Sequence, residues 1–195
     1  RALIEKAEYY YCSGFPLTVC PDAMLEVAKY ASEMEKPFMM NLSAPFLCTV
    51  FKEPMMKIIP YVDILFGNES EALAFSEEHK LGTTDLKVIT KKLASLPKAN
   101  GSKARVVVIT HGAEPTLVYK DGVVKEYPVI SIKPEEIVDT NGAGDAYVGG
   151  FLAQFIQKQS LDDCIRCGNY AAHLILKRPG CTLPEKDLTS VNPGF

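Results

Sequence analysis

Four short apolar runs, Tyr9–Cys12, Phe38–Leu42, Val62–Phe66 and Arg105–Thr110, punctuate the chain up to residue 110, and the segments between the first three repeat their apolar residues with helical periodicity. Short buried strands that alternate with amphipathic helices hide their apolar surface as βαβ units around a parallel sheet. Pro21 suits the first turn of a helix over Ala23–Glu35, and Pro54 lies near the start of a short helix ending by Pro60. Asp85–Leu96 reads as a further amphipathic helix closed by Pro97. Thr116–Tyr119 and Val123–Tyr127 flank Lys120-Asp121-Gly122, where the Asp-Gly pair suits a hairpin turn, so the sheet is expected to gain an antiparallel edge. Ser160 with Asp163 opens a last long helix, Leu161 to about Leu176, which Pro179-Gly180 stops. Residues 187–195 read as a loose tail.

Ligands of open α/β sheets collect at the carboxyl ends of the strands. The stretch Asp139–Gly150, DTNGAGDAYVGG, fits such a place: an interrupted apolar run, Ile130–Val138, precedes it as an expected strand, and Ala146–Phe155 follows as a largely buried helix. The first N–H groups of a helix lack intrahelical acceptors, and with the helix dipole they favour an oxyanion. Gly142 and Gly144 permit positive φ and close approach of a ligand to the backbone. Asp145, in the first turn, is placed to stay ionised and to accept a hydroxyl proton, so the stretch points to phosphoryl transfer. The plain alternative is an acid that merely complements the helix terminus beside a tight connection. Gly149 and Gly150 inside the expected helix each cost about 1 kcal/mol relative to alanine, which implies close packing there. No Gly-Lys pair exists to form a Walker loop, and Tyr147 occupies the third glycine position of a dinucleotide fingerprint.

With 195 residues, 47% of them hydrophobic and 23% charged, the chain suffices for one globular α/β domain. A net charge of −3 without a basic stripe argues against nucleic acid, and no apolar run is long enough to span a bilayer. The first residues lack the layout of a signal peptide. Six cysteines form no regular framework and are expected reduced, in the cytoplasm or also the nucleus. Cys164-x-x-Cys167 has no second pair and reads as helix packing, so no zinc is expected.

DTNGAGD followed by AYVGGFLAQ resembles the signature of the ribokinase-like carbohydrate and nucleoside kinases, the PfkB family. Asn41–Phe46 (NLSAPF), Tyr61–Ala72 (YVDILFGNESEA) and Pro179–Lys186 (PGCTLPEK) resemble, in order, segments of its adenosine-phosphorylating branch, so the likeness runs from about Tyr9 to Lys186. It implies a three-layer α/β/α fold with a mostly parallel sheet, and transfer of the ATP γ-phosphate to the 5′-hydroxyl of adenosine, giving AMP and ADP in purine salvage. Asp145 would then be the general base, with Asn141, Gly142, Ala143 and Gly144 around the transferring phosphoryl. Asn68 and Glu71 would order Mg²⁺ and the phosphates, largely through water. Thr110 and Gly112 would touch the nucleotide phosphates, Asn169 would lie beside the adenine of ATP, and Asn141 and Phe46 would contact the nucleoside.

Each of these residues also has a plainer reading. Asn68 with Glu71 is a helix cap, Thr110 and Gly112 end a strand, Asn169 is a solvated helix residue, and Phe46 after Pro45 belongs to the core. The family's first strands, lid, sugar-side glycine pair and hydroxyl-gripping aspartate have no match ahead of the likeness. Residues 1–195 are therefore read as the C-terminal part of the large domain of a monomeric enzyme with small-molecule partners, inactive by itself and exposing an apolar sheet edge. Two rivals remain: another sugar or nucleoside kinase of this architecture, and a nucleotide-binding protein that kept the fold and lost catalysis.

Overall fold

The computed structural model describes residues 2–99, 101 and 104–182, which divide into two compact units at Tyr127/Pro128. The first unit carries a six-stranded sheet whose spatial order is the sequence order: β1 (Tyr10–Cys12), β2 (Phe38–Asn41), β3 (Ile64–Asn68), β4 (Val106–His111), β5 (Glu114–Lys120) and β6 (Val123–Tyr127). The first four strands are parallel, and β5 and β6 add the expected antiparallel hairpin. Its turn residues Asp121 and Gly122 have φ of 49° and 90°, the left-handed conformations that a tight two-residue hairpin demands. The architecture is the mixed α/β, mostly parallel one read from the sequence.

Between the strands run α1 (Pro21–Glu33), α2 (Pro45–Val50), α3 (Lys52–Ile58), α4 (Glu69–Glu78) and α5 (Leu86–Ala94). Alternation along each strand sends Tyr10, Phe38, Met40, Leu65, Val107 and Ile109 into one core with Met24 and Ala28 of α1, Met55 of α3, Phe75 of α4 and Leu93 of α5. Complete burial of a side chain of this size stabilises the fold by roughly 1.5–3 kcal/mol. Helix α2 is absent from the sequence reading, because six residues are too few to show a period.

Arg105, just before β4, is 1% exposed, yet among the described residues no carboxylate forms a salt bridge with it. Its guanidinium donates instead to carbonyls of Ile59, Val62, Leu93, Ala94, Leu96 and Pro97, at 2.7–3.4 Å. Two of these, Leu93 and Ala94, are carbonyls at the C-terminal end of α5, which have no partner within the helix. Burial pulls the guanidinium pKa down to about 10, opposed by the charge of Asp63.

In the second unit the strand expected over Ile130–Val138 does not form. Pro134 lacks the N–H a ladder needs, residues Pro134–Glu136 make a 3-10 turn, and the N–H of Val138 donates to Leu176 O at 2.8 Å. Two helices follow, α6 (Ala143–Phe155) and α7 (Leu161–Leu176), the latter at its expected bounds with Ser160 Oγ accepting from Asp163 N–H. A Cβ on Gly150 would lie 2.5 Å from Cys167 O, and one on Gly168 would lie 2.9 Å from Tyr147 O, so both glycines are where α6 and α7 meet backbone to backbone. Gly149 has no such neighbour, and nothing in the structure explains it.

All six cysteines are free thiols, and burial pushes Cys164 up to about 11, so it packs rather than reacts. Among the described residues no cluster of three or more metal-ligating side chains occurs, and no helix is long and apolar enough to cross a membrane. The expected tail, 187–195, lies outside the described residues.

Candidate active site

In the first unit the candidates gather where β3 and β4 end. Asn68 of β3 is in register with Thr110 of β4, and Thr110 Oγ1 donates to Gly67 O at 3.4 Å. Asn68 is also the N-cap of α4. Its Oδ1 accepts from Glu71 N–H at 2.9 Å, while Glu71 Oε2 accepts from Asn68 N–H and Oε1 from Asn68 Nδ2, both at 3.0 Å. This capping box fixes a carboxylate that is only 4% exposed. Gly67 makes room for it, since a Cβ there would stand 3.3 Å from Glu71 Oε2. Burial and then the Glu71 charge push the thiol of Cys48 up to about 12.

Gly112 has φ of 56° in the turn between β4 and β5, a conformation that favours glycine whatever else the residue contacts. Phe46, expected by the plainer reading in the core, is 46% exposed. It leans on Phe15 and Phe51, each with ring centroids 6.3 Å away. The turn that carries it is held by Ser43 at φ 66°, whose N–H donates to Asn41 Oδ1 at 3.1 Å and whose Oγ accepts from Gly14 N–H at 2.8 Å.

In the second unit Gly142 caps α6 at φ 76°, and Ala143, Gly144 and Asp145 form its first turn. Of the two glycines expected at positive φ only Gly142 is so; Gly144 has joined the helix and lies in open space. With glycine as the cap, no capping side chain accepts from the first-turn amides. Ala143 N–H reaches Thr140 O at 3.4 Å, and Ala146 N–H makes the first helical bond, to Gly142 O at 2.8 Å. Asp145 is the one acid of that turn and is exposed to solvent. Asn169 on α7 is buried rather than solvated, 8% exposed, with Nδ2 donating to Pro128 O at 3.4 Å.

Asp139 was not singled out by sequence reasoning. Its Oδ1 accepts from Asn141 N–H and Asn141 Nδ2, both at 2.8 Å, and its Oδ2 accepts from Gly180 N–H at 3.0 Å. These bonds, the Asn141 amide first, hold its carboxyl below the usual aspartate range. Beyond Gly180, Cys181 Sγ stands 2.2 Å from where a Cβ on residue 142 would be. A shallow apolar groove of about 620 Å³ along Phe15, Val19, Met24 and Val27 contains none of the predicted site residues.

The first unit thus offers a strand-end amide beside a buried acid, and the second a glycine-capped helix with an exposed acid in its first turn. The pfkB family carbohydrate kinase profile matches residues 1–188, and the chain belongs to that family. It is 50% identical over 185 residues to adenosine kinase 2 of Arabidopsis thaliana, covering 95% of this chain and 54% of that protein. It is 48% identical over 181 residues to the adenosine kinase of Schizosaccharomyces pombe, covering 93% and 53% respectively. The crystal structure of Anopheles gambiae adenosine kinase in complex with P1,P4-di(adenosine-5) tetraphosphate superposes with a TM-score of 0.89 at 50% identity, over 93% of this chain and 54% of that one. The chain thus spans about half the length of the relatives it matches.

Proposed function

We propose that the protein containing these residues is an adenosine kinase, transferring the γ-phosphoryl group of ATP to the 5′-hydroxyl of adenosine. The observation that carries the reading is the exposed carboxylate of Asp145 in the first turn of a helix whose glycine cap supplies no side-chain acceptor. Asp145 takes the hydroxyl proton as the 5′-oxygen bonds to the γ-phosphorus. The bond from that phosphorus to the β,γ-bridging oxygen breaks, and its electron pair leaves on ADP. Amides at Gly142, Ala143 and Gly144, with Asn141, stabilise charge on the phosphoryl oxygens in transit. The Anopheles gambiae relative is in complex with a molecule that carries an adenosine at each end of a tetraphosphate, which supports a reading in which adenosine and phosphates are both recognised.

Glu71 and Asn68 suit magnesium in one way only. Both Glu71 oxygens already accept from Asn68, so their remaining lone pairs serve water better than a bare cation, as fits an ion bound chiefly by phosphates and water. Bound there, magnesium neutralises phosphate charge. Thr110 and Gly112 take the nucleotide phosphates, Asn169 the adenine of ATP, and Phe46, with its exposed ring, the base of adenosine. The product AMP places the reaction in purine salvage, and the free thiols suit a reducing cytoplasm.

In the full-length protein Asp145→Asn is expected to lower kcat on the order of 1,000-fold with nucleotide affinity nearly unchanged. Turnover at the wild-type rate would remove Asp145 from the mechanism. Assaying wild type against adenosine, inosine, ribose and fructose 6-phosphate separates adenosine from other acceptors, and inertness toward all four would leave a binding protein.

A further inference from the structure

We infer that Asp139 is a positioning residue for phosphoryl transfer: its carboxylate pins the amides at the start of α6 to the turn that follows α7. The inference rests on the reading of those amides as the phosphoryl site. One carboxylate oxygen accepts from both the main-chain and side-chain N–H groups of Asn141, and the other accepts from Gly180 N–H. Two segments 41 residues apart are therefore joined through a single acid. A second tie runs parallel to it, since the N–H groups of Val138 and Asp139 both point to Leu176 O, at 2.8 and 3.4 Å. Cys181, next to Gly180, is brought against Gly142, so the residue whose left-handed φ begins the helix is covered from the same turn.

The chemistry selects aspartate. Three N–H donors converge on the side chain, and a carboxylate accepts at both oxygens. Asparagine has one acceptor and would turn an NH₂ toward either Asn141 or Gly180. A glutamate, one methylene longer, would overrun the Asn141 amide two residues on, which suits the short Asp side chain. Asp139 touches no reacting atom in this account. It acts through Asn141 and Gly142, whose amides must already be aimed when charge develops, because reorganising them during the reaction would forfeit the stabilisation.

The test compares affinities in full-length Asp139→Asn with those of the wild type. The two ligands are magnesium ADP alone and magnesium ADP with tetrafluoroaluminate and adenosine, which imitates the transferring phosphoryl. The variant is expected to bind ADP within about threefold of wild type, to lose tetrafluoroaluminate affinity on the order of 10- to 100-fold, and to lose kcat by the same factor. Equal losses for both ligands, or no loss for either, overturn the inference. Partial unfolding raises both apparent dissociation constants by the same factor, so their ratio, compared between variant and wild type, still reports on a destabilised variant. Should Asp139→Asn not accumulate at all, NMR of the wild type decides. The amide protons of Asn141 and Gly180 must then shift together through one acidic titration, and independent or absent titrations overturn the clamp. Wild type without adenosine kinase activity would defeat the functional reading itself, a different result from any of these.

Discussion

Helices α4 and α6 begin in opposite ways. Asn68 and Glu71 close the start of α4 with three hydrogen bonds between them, so the cap side chain accepts from a first-turn amide and the Glu71 carboxylate from the cap's own N–H. Helix α6 starts at Gly142, with no side chain to accept from its first turn and an exposed acid three residues in. A closed start stabilises the fold, whereas an open one costs stability unless a ligand supplies the acceptors. Under the proposed function, the contrast separates residues that hold the fold together from those held ready for chemistry. Helix ends therefore divide into structural and functional ones, and Arg105 at the far end of α5 is the extreme structural case.

Replacing Arg105 with Met should have the largest effect, a loss of about 3–5 kcal/mol, because buried carbonyls from three segments would lose their donor. Urea unfolding measures it, and an unchanged midpoint would mean that those carbonyls find water. Gly142→Ala comes next. Its backbone must hold φ 76°, at roughly 1–2 kcal/mol for a residue with a Cβ, and the new methyl would overlap Cys181 Sγ. In the full-length protein kcat should fall on the order of 100-fold. Near-normal kcat would erase the distinction between the two helix starts.

Asn68→Ala should show the converse balance, with about 1 kcal/mol of stability lost and kcat within tenfold of wild type. A larger loss of turnover than of stability would show Asn68 working mainly on the nucleotide. The smallest expected effect concerns the other end of α4, where His79 stacks on Phe75 with ring centroids 4.1 Å apart and its Nε2 is buried without a partner. Burial lowers its pKa, as it does that of His173, so the unfolded chain binds protons more readily than the folded one. Their contribution is complete above the ordinary imidazole value, near pH 6.5, and is lost as pH falls through the depressed folded values. His79→Gln should flatten the acid side of a plot of melting temperature against pH. An unchanged slope would assign it to other groups.

Elements with their own period or punctuation were legible in the sequence. The four strands fall within two residues of their expected bounds, the Asp-Gly hairpin turns where expected, and α7 runs from Leu161 to Leu176. Ile130–Val138 misled because its apolar residues suggest a strand while Pro134 withholds a donor in its middle and starts a 3-10 turn. Of the site, Asn68 with Glu71 and the glycines before Asp145 were readable as local spacings. The Asx spacing of Asp139 and Asn141 was visible too, but its link to Gly180 is set by how the chain returns after α7. The Arg105 cage was invisible for the same reason: its acceptors are carbonyls, which every residue carries.

The claim on which the account turns is that the amides opening α6 receive the transferring phosphoryl group. Backbone NMR of the full-length protein, comparing magnesium ADP with adenosine before and after adding tetrafluoroaluminate, tests it directly. The amide protons of Gly142, Ala143 and Gly144 should move downfield only when the fluoride complex is present, with those of Asn68 and Glu71 shifting less. Unmoved resonances at 142–144 alongside tight binding of the complex would contradict it.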